Sequence, residues 1–185
     1  LDNVEALTKD NPNEPLLYNI SGAFYARLGQ LDSAVKRYEK AIAIKPDYAE
    51  VLNNLGNALK RLGQLDAAIR SLEKAIAIKP NYAEAHYNLG DTLQKLGQLN
   101  ASVISYEKAI TIKPNYAEAH NNLGNNFKKL GQLDASVRSY EKAIAIKPNY
   151  AEAHNNLGNT FKRLNQPDKA IRHYEQALAI KPDYA

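Results

Sequence analysis

The sequence predicts an all-α protein built from stacked helical hairpins, and three observations support this class. Segments of 34 residues repeat in register along the 185-residue chain, and a period of this length is typical of stacked repeat proteins. Each segment contains two stretches in which apolar residues recur at helical spacing. No stretch shows the sustained alternation of apolar and polar residues that is expected of a half-buried strand.

The period divides the chain into five full repeats and one partial repeat, which we expect to form one continuous array. The full repeats cover residues 15–48, 49–82, 83–116, 117–150 and 151–184. Residues 1–14 align with the second half of a repeat, because Pro12 lies 34 residues before Pro46. We therefore expect residues 1–9 to be the second helix of a truncated repeat that caps the first full one.

Each repeat carries signals for the ends of its two helices. In the third repeat, Asn81 and Glu84 have the spacing of a capping box for the first helix. Asn100 is predicted to cap the second helix. Gly97 is predicted to end the first helix in the left-handed conformation, and Asn165 takes this position in the fifth repeat.

Helical wheels predict which side of each helix is buried. In the fourth repeat, the predicted core consists of Ala119, Leu123, Phe127, Leu130, Val137, Tyr140, Ala143 and Ile144. A small residue lies among them, and we expect it to let the paired helices approach closely. This residue is Gly22, Gly56, Gly90, Gly124 or Gly158, depending on the repeat.

Composition narrows the possible function classes. The net charge is +4, and the basic residues recur at matching places in each repeat rather than forming the clustered basic face of a nucleic-acid-binding protein. The absence of Cys excludes disulfides and fits a reducing compartment. The apolar runs are too short to span a membrane. We expect a soluble, cytoplasmic protein that binds neither nucleic acid nor membranes.

No pattern in the sequence indicates catalysis. A nucleophile elbow, a phosphate-binding loop and a pair of catalytic carboxylates are all lacking, so we expect the chain not to be an enzyme itself. His86, His120 and His154 recur once per repeat. We expect them to fill a slot between helices rather than to converge on one ion, as metal ligands must. The sequence therefore predicts no cofactor and no metal site.

These repeats resemble the tetratricopeptide repeat (TPR) family, whose 34-residue pattern is W-x2-L-G-x2-Y, then A-x3-F, then P. The fifth repeat matches it with Leu157, Gly158, Phe161, Ala170, Tyr174 and Pro182. Two departures recur: His154 and its equivalents stand where Trp is usual, and Ser102 and Ser136 replace the small Ala. The resemblance covers residues 15–184. It implies a right-handed superhelix, or α-solenoid, of TPR hairpins that acts as a non-catalytic scaffold for protein–protein interaction, with the first helices lining a concave groove.

The side of the first helix opposite the core is rich in Asn. In the fourth repeat, Asn122, Asn125 and Lys129 lie there beside Glu118. The equivalent residues in the other repeats are Asn54, Asn57, Arg61, Asn88, Asp91, Lys95, Asn156, Asn159 and Arg163. Asn is an ordinary-to-poor helix former, so propensity does not explain this choice. Because a carboxamide has two N–H donors and one acceptor, we predict that these two files, with their basic edge, bind the main chain of an extended peptide.

The two files also resemble the asparagine-lined superhelix of protein O-GlcNAc transferases and related bacterial TPR proteins, and this resemblance implies binding to peptide backbones. The first repeat has Ile20 and Ala23 at the matching positions, so we expect the polar groove to end there. The competing interpretation is that duplicated repeats share these Asn residues by descent. A carboxylate clamp like that of chaperone-binding repeats is not expected, because Asn53, Glu118 and Asn122 stand at the matching positions.

Two other function classes stay open. The chain could be the substrate-recruiting arm of a larger enzyme such as a glycosyltransferase, or a self-assembling structural module. The second class has support in the fifth repeat, which ends on an apolar helix face instead of the polar cap that terminal repeats need. This face carries Ile171, Tyr174, Leu178 and Ile180. We predict end-to-end association through residues 1–9 and this face.

Overall fold

The computed structural model describes residues 7, 8 and 10–183. From residue 15 onward, the described chain forms ten α-helices of 13 or 14 residues. They are α1 (Pro15–Arg27), α2 (Leu31–Ile44), α3 (Ala49–Arg61), α4 (Leu65–Ile78), α5 (Ala83–Lys95), α6 (Leu99–Ile112), α7 (Ala117–Lys129), α8 (Leu133–Ile146), α9 (Ala151–Arg163) and α10 (Pro167–Ile180). The described residues contain no strand, and the predicted all-α class is confirmed. The helix predicted for residues 1–9 lies outside the described residues except at positions 7 and 8, which are helical.

The helices fall into two compact units, Leu1–Leu96 and Gly97–Ala185. In the first unit, α1 packs on α2, α3 packs on α4, and each second helix also contacts the next first helix. The first helices α1, α3 and α5 contact one another in succession. In the second unit, α7 packs on α8 and α9 on α10, while α7 also contacts α9. Within each unit, equivalent faces of consecutive first helices therefore lie side by side.

Each unit has a core that passes from one repeat to the next. In the fourth repeat the predicted residues Ala119, Leu123, Tyr140 and Ala143 are buried. The other four predicted core residues, Phe127, Leu130, Val137 and Ile144, are half-buried. Two of these pack against the following repeat, in a cluster with Leu157 and Phe161 of α9. A repeat thus completes the burial of its own apolar face only when its neighbour covers it.

A glycine controls how closely the two helices of a hairpin approach. A Cβ built on Gly124 would lie 2.7 Å from Cε1 of Tyr140, a distance that side-chain carbons do not tolerate. The same close approach is found at Gly22, Gly56 and Gly158. The role predicted for this small residue is confirmed at these four positions.

The predicted ends of the first helices are confirmed, but the predicted caps at their beginnings are wrong. Gly97 has φ of +82° and Asn165 has φ of +57°, as the left-handed turn requires. Helix α5, however, begins at Ala83 after Tyr82, and no side-chain cap hydrogen bond is formed. Helix α6 begins at Leu99, so Asn100 is already inside its first turn. Helix α5 begins one residue later than the capping pattern assumes and helix α6 begins two residues earlier, so the polar residues miss the capping position in both.

Two glutamates equivalent to Glu84, in the first turns of α3 and α7, pair with lysines. Glu50 and Lys79 are 2.9 Å apart, and the equivalent Glu118 and Lys147 are 3.4 Å apart. Each pair joins the first turn of one first helix to the segment after the second helix of the same repeat. Separately, none of the described helices combines the length and hydropathy needed to cross a membrane.

Candidate functional site

The predicted peptide-binding residues lie on the first helices α3, α5, α7 and α9. We call the side that carries these residues the amide face. Asn54, Asn88, Asn122 and Asn156 are half-buried there, as are Asp91, Asn125 and Asn159. Exposed side chains on the same face are Asn57, Arg61, Lys95, Lys129 and Arg163. Because successive first helices contact each other within a unit, this face brings polar groups of neighbouring repeats together.

The first file of carboxamides bridges neighbouring repeats. In each bridge, an Asn amide nitrogen donates to the carboxamide oxygen of an Asn 35 residues earlier. The three bridges are Asn54 to Asn19 at 3.1 Å, Asn88 to Asn53 at 2.9 Å, and Asn156 to Asn121 at 3.2 Å. An Asn side chain has two N–H donors and an oxygen with two lone pairs, so one such bond does not exhaust its capacity.

The second file is held from within its own repeat by a tyrosine hydroxyl. Tyr140 donates to Oδ1 of Asn125 at 2.7 Å, and Tyr174 donates to Oδ1 of Asn159 at 2.9 Å. Burial raises the pKa of Tyr140, so the phenol stays protonated and remains a donor. These bonds fix the orientation of the two carboxamides. They occupy the carboxamide oxygens as acceptors, so the N–H donors of Asn125 and Asn159 are not used by them. In the second repeat Leu72 takes the place of the tyrosine, and Asn57 is exposed.

The one carboxylate in the files is neutralised by a neighbouring repeat. Asp91 forms an ion pair with Lys60, with Oδ2 and Nζ 2.5 Å apart. The Lys60 side chain is only 8% exposed, whereas that of Asp91 is 24% exposed. A buried ammonium needs such a partner because its desolvation is costly. The negative charge of Asp91 is therefore already paired with a cation of the protein itself.

The arginines of the basic edge bind main-chain carbonyls of the preceding repeat. Nη1 of Arg61 lies 2.9 Å from the carbonyl oxygen of Ala26, in the last turn of α1. Nη1 of Arg163 is also 2.9 Å from the carbonyl oxygen of Lys128, in the last turn of α7. Each carbonyl lies at a helix C-terminus, where cations interact favourably with the helix dipole. A guanidinium has five N–H donors, so these bonds leave donors for a ligand.

A half-buried lysine lies next to the second-unit carboxamides. Lys128 Nζ is 5.7 Å from the ring centroid of Tyr140 and 3.4 Å from Oδ1 of Asn156. Burial lowers the pKa of this ammonium, and the positive charges of Arg163 and Lys129 lower it further. The amide face of the second unit is thus positively charged at its basic edge.

The recurrent histidines each contact a proline carbonyl six residues earlier. Nε2 of His86, His120 and His154 lies 2.9 to 3.1 Å from the carbonyl oxygens of Pro80, Pro114 and Pro148 respectively. His154 also meets a residue that the sequence reasoning overlooked, because its Nδ1 lies 3.2 Å from Nδ1 of His173. In the part of the chain that the structure describes, no group of three or more His, Cys, Asp or Glu side chains could hold a metal ion.

The sequence reasoning also missed the acceptors of the Asn bridges. Asn19, Asn53 and Asn121 accept the bonds from the first file. Their signal was present, because Asn recurs at this register one position before the file.

Comparison with known proteins is consistent with this architecture. A family model described as TPR repeat matches residues 22–63, 56–97, 93–131 and 124–165, and one described as tetratricopeptide repeat matches residues 151–184. A crystal structure of MamA is 28% identical, covers 87% of this chain and 94% of its own, and has a TM-score of 0.81. No curated protein sequence matches the chain.

Two further solved structures share the fold at lower identity. MamA 41-end from Desulfovibrio magneticus RS-1 is 23% identical, covers 92% of this chain and 96% of its own, and has a TM-score of 0.83. YrrB, described as a TPR protein with an unusual peptide-binding site, is 23% identical, covers 98% of this chain and 93% of its own, and has a TM-score of 0.77. Since the family models together match most of the sequence, the chain belongs to the tetratricopeptide repeat family.

Proposed function

We propose that this protein is an interaction scaffold whose amide face holds an extended peptide segment. Repeat proteins of this kind use their extended surfaces for binding. The observation that carries the proposal is the pair of carboxamide positions in consecutive repeats, on adjacent first helices, with hydrogen-bonding capacity left after their internal bonds. The peptide-binding site in the name of YrrB, a protein of the same fold, is compatible with this use.

The internal bonds favour binding rather than compete with it. A free Asn side chain loses rotamer freedom when a ligand immobilises it, which costs affinity. Here the bonds of Asn125 to Tyr140 and of Asn88 to Asn53 have already fixed two of these side chains. The remaining N–H groups can then donate to main-chain carbonyls of a peptide at little further entropic cost. Recognition of this kind depends weakly on the partner's side chains.

The competing interpretation is that the carboxamides serve only to connect adjacent repeats. Under that interpretation, substituting them would lower stability without affecting any ligand. Asn57 separates the two possibilities because it is exposed and has no tyrosine at the equivalent of Tyr140. Its replacement should change binding and leave folding intact.

Peptides selected from a random displayed library against the intact chain provide the test. The affinity of a selected peptide is compared between the natural sequence and the variant Asn57→Ala. The control is Asn100→Ala, an exposed Asn on the second helix α6. We expect Asn57→Ala to lose about fivefold in affinity, as removal of one modest hydrogen bond predicts, with unchanged helicity by circular dichroism. Unchanged affinity would refute the proposed function.

A second candidate function, end-to-end self-association, is favoured by the last repeat. Ile171 and Leu178 of α10 are 53% and 47% exposed. Their equivalents in the preceding repeat, Val137 and Ile144, are half-buried against α9. The apolar face of α10 therefore has the character of a repeat interface, and another copy of the chain is its proposed occupant, through the end that carries residues 1–9.

Sedimentation over a range of concentrations tests this candidate. Ile171→Lys with Leu178→Lys should abolish any growth in size with concentration. The matched control is Ile104→Lys, because Ile104 is 60% exposed on the second helix of another repeat, α6. A chain that stays monomeric at millimolar concentration, or variants that associate as before, would contradict end-to-end association.

A further inference from the structure

The amide face of the first unit ends in an apolar cavity of about 200 Å³ between α1 and α3. Its walls are formed by Ile20, Ala23 and Phe24, which we call the apolar subsite. Ile20 is 36% exposed and Phe24 is 41% exposed. Ile20 and Ala23 occupy the two positions that later repeats fill with carboxamides or, at position 91, a carboxylate. The face therefore changes from polar in the later repeats to apolar in the first repeat.

The boundaries of this cavity connect it to the amide face. Asn54 lines one side, and its bridge to Asn19 forms a polar border there. Arg27, one helical turn after Ala23, also lines the cavity. A peptide main chain that lies along the carboxamides would therefore bring one side chain over the apolar subsite.

The size of the cavity selects a side chain rather than a small molecule. Ligand pockets typically enclose about 300–1,000 Å³, and this cavity is smaller. It is open enough to receive one aliphatic or aromatic side chain from a segment that crosses it. The two exposed walls contribute apolar area that such a side chain would remove from water.

The charges near the cavity indicate which group of the partner should lie beside the bound apolar side chain. Arg27 lines the cavity, and the guanidinium of Arg61 is anchored on the carbonyl oxygen of Ala26, one residue away along the chain. Arg27 of the first repeat thus lines the cavity, and Arg61 of the second repeat is bound at the C-terminal end of the same helix, α1. Among the described residues that line the cavity there is no carboxylate to neutralise them. This arrangement complements an acidic group on a partner.

We propose that the partner segment carries an apolar residue directly beside an Asp or Glu, with the apolar side chain in the subsite and the carboxylate at Arg27 and Arg61. The inference rests on the proposed peptide-binding function and specifies its ligand class. We assign the carboxylate to a side chain, and the peptides of the test are amidated so that a C-terminal carboxylate cannot account for their binding.

The test uses three synthetic ten-residue peptides of Ser and Thr, acetylated and amidated at their ends, that contain a central Leu-Glu, Ala-Glu or Leu-Gln pair. Binding to the isotope-labelled chain is followed by NMR chemical shifts, which detect weak complexes. We expect the Leu-Glu peptide to bind about tenfold more tightly than the Ala-Glu peptide, as loss of apolar contact in a pocket predicts. It should bind about threefold more tightly than the Leu-Gln peptide, because a rim charge pair contributes little. The shifts should centre on residues 19–27.

Two variants assign these preferences to the subsite. Ile20→Asn with Ala23→Asn gives the first repeat the carboxamides of the later ones, and it should remove the preference for Leu over Ala. Arg27→Gln should remove the preference for Glu over Gln. Equal binding of the three peptides, preferences that survive these variants, or no binding at all would overturn the proposal.

The same peptides separate this proposal from the function on which it rests. The variant Asn57→Ala should weaken the three peptides by similar factors. If it does so while Leu and Ala bind equally, the apolar subsite is refuted and the amide-face function stands. If Leu is preferred but this variant changes nothing, the amide-face function is refuted and the subsite stands.

Discussion

Replacing Ser102 with Ala should destabilise the second unit, and a second substitution should restore part of the loss. Nδ2 of Asn126 in α7 donates to Oγ of Ser102 in α6 at 2.6 Å, and both residues are fully buried. In Ser102→Ala the amide loses its acceptor while it stays buried. A buried donor without a partner costs about 1–3 kcal/mol, which is our expected loss in the free energy of unfolding.

Adding Asn126→Ala to that variant removes the buried amide that has lost its acceptor. It also removes Oδ1 of Asn126, which is buried without a hydrogen-bond partner in the described structure. The change leaves a cavity of roughly 40 Å³, which at about 24 cal/mol per Å³ costs ~1 kcal/mol. The double variant should therefore unfold at a higher urea concentration than the Ser102→Ala single variant. The equivalent residues in the first unit, Ala34 and Ala58, already form such an apolar pair within the core.

Urea denaturation of the two single variants and the double variant, followed by far-UV circular dichroism, completes a double-mutant cycle. We expect a coupling energy of about 1 kcal/mol or more between the two positions, as is usual for residues in direct contact. Additive losses, or a double variant less stable than Ser102→Ala, would refute the reasoning from the buried hydrogen bond. Purely additive behaviour would mean that the two side chains do not depend on each other.

Three further predictions concern single residues. Asp91→Asn introduces the residue found in three other repeats but leaves the buried ammonium of Lys60 unpaired, so urea unfolding should show a loss of about 2–4 kcal/mol; an unchanged midpoint would contradict the ion-pair argument. Gly124→Ala places a methyl group against Tyr140 and should lower stability by about 1–3 kcal/mol in thermal unfolding, whereas a gain in Tm would show that the helices can separate at no cost. Burial and the neighbouring imidazole lower the pKa of His173 below its unfolded value of about 6.5, so the unfolded chain binds more protons and stability falls as pH drops below about 6.5. His173→Ser should reduce the fall in Tm between pH 7.5 and pH 5.5, and an equal fall in both proteins would count against this assignment.

The fold was predictable because each repeat restates the same local signals. The turns at the helix ends require a residue with positive φ, and Gly97 supplies it. This requirement is local, so it can be read from the sequence of the turn. The apolar spacing fixed the buried face of each helix, as the burial of Tyr140 and Leu123 confirms. The predicted helix caps were wrong for a reason that is also local. The capping pattern specifies a spacing of residue types, but the turn decides which residue stands at the cap, and here it is Tyr82 rather than Asn81.

The internal hydrogen bonds and the ion pair of the candidate site could not be predicted from the sequence. A helical wheel places Asn88 opposite the predicted core, but its bond to Asn53 depends on the distance between two helices in different repeats. The same holds for the ion pair of Asp91 with Lys60. His173 was missed for another reason, because the other full repeats carry Ser or Arg at its position and the 34-residue comparison treats it as an isolated change.

The two arginine contacts have a consequence for how this surface can evolve. Arg61 and Arg163 bind carbonyl oxygens of the backbone, which every residue type provides. The side chains at those two acceptor positions already differ, since one is Ala26 and the other is Lys128. Mutation can therefore change the side chains at these acceptor positions while the contact between the two helices persists. Changes on the neighbouring surface then need not weaken the junction between repeats.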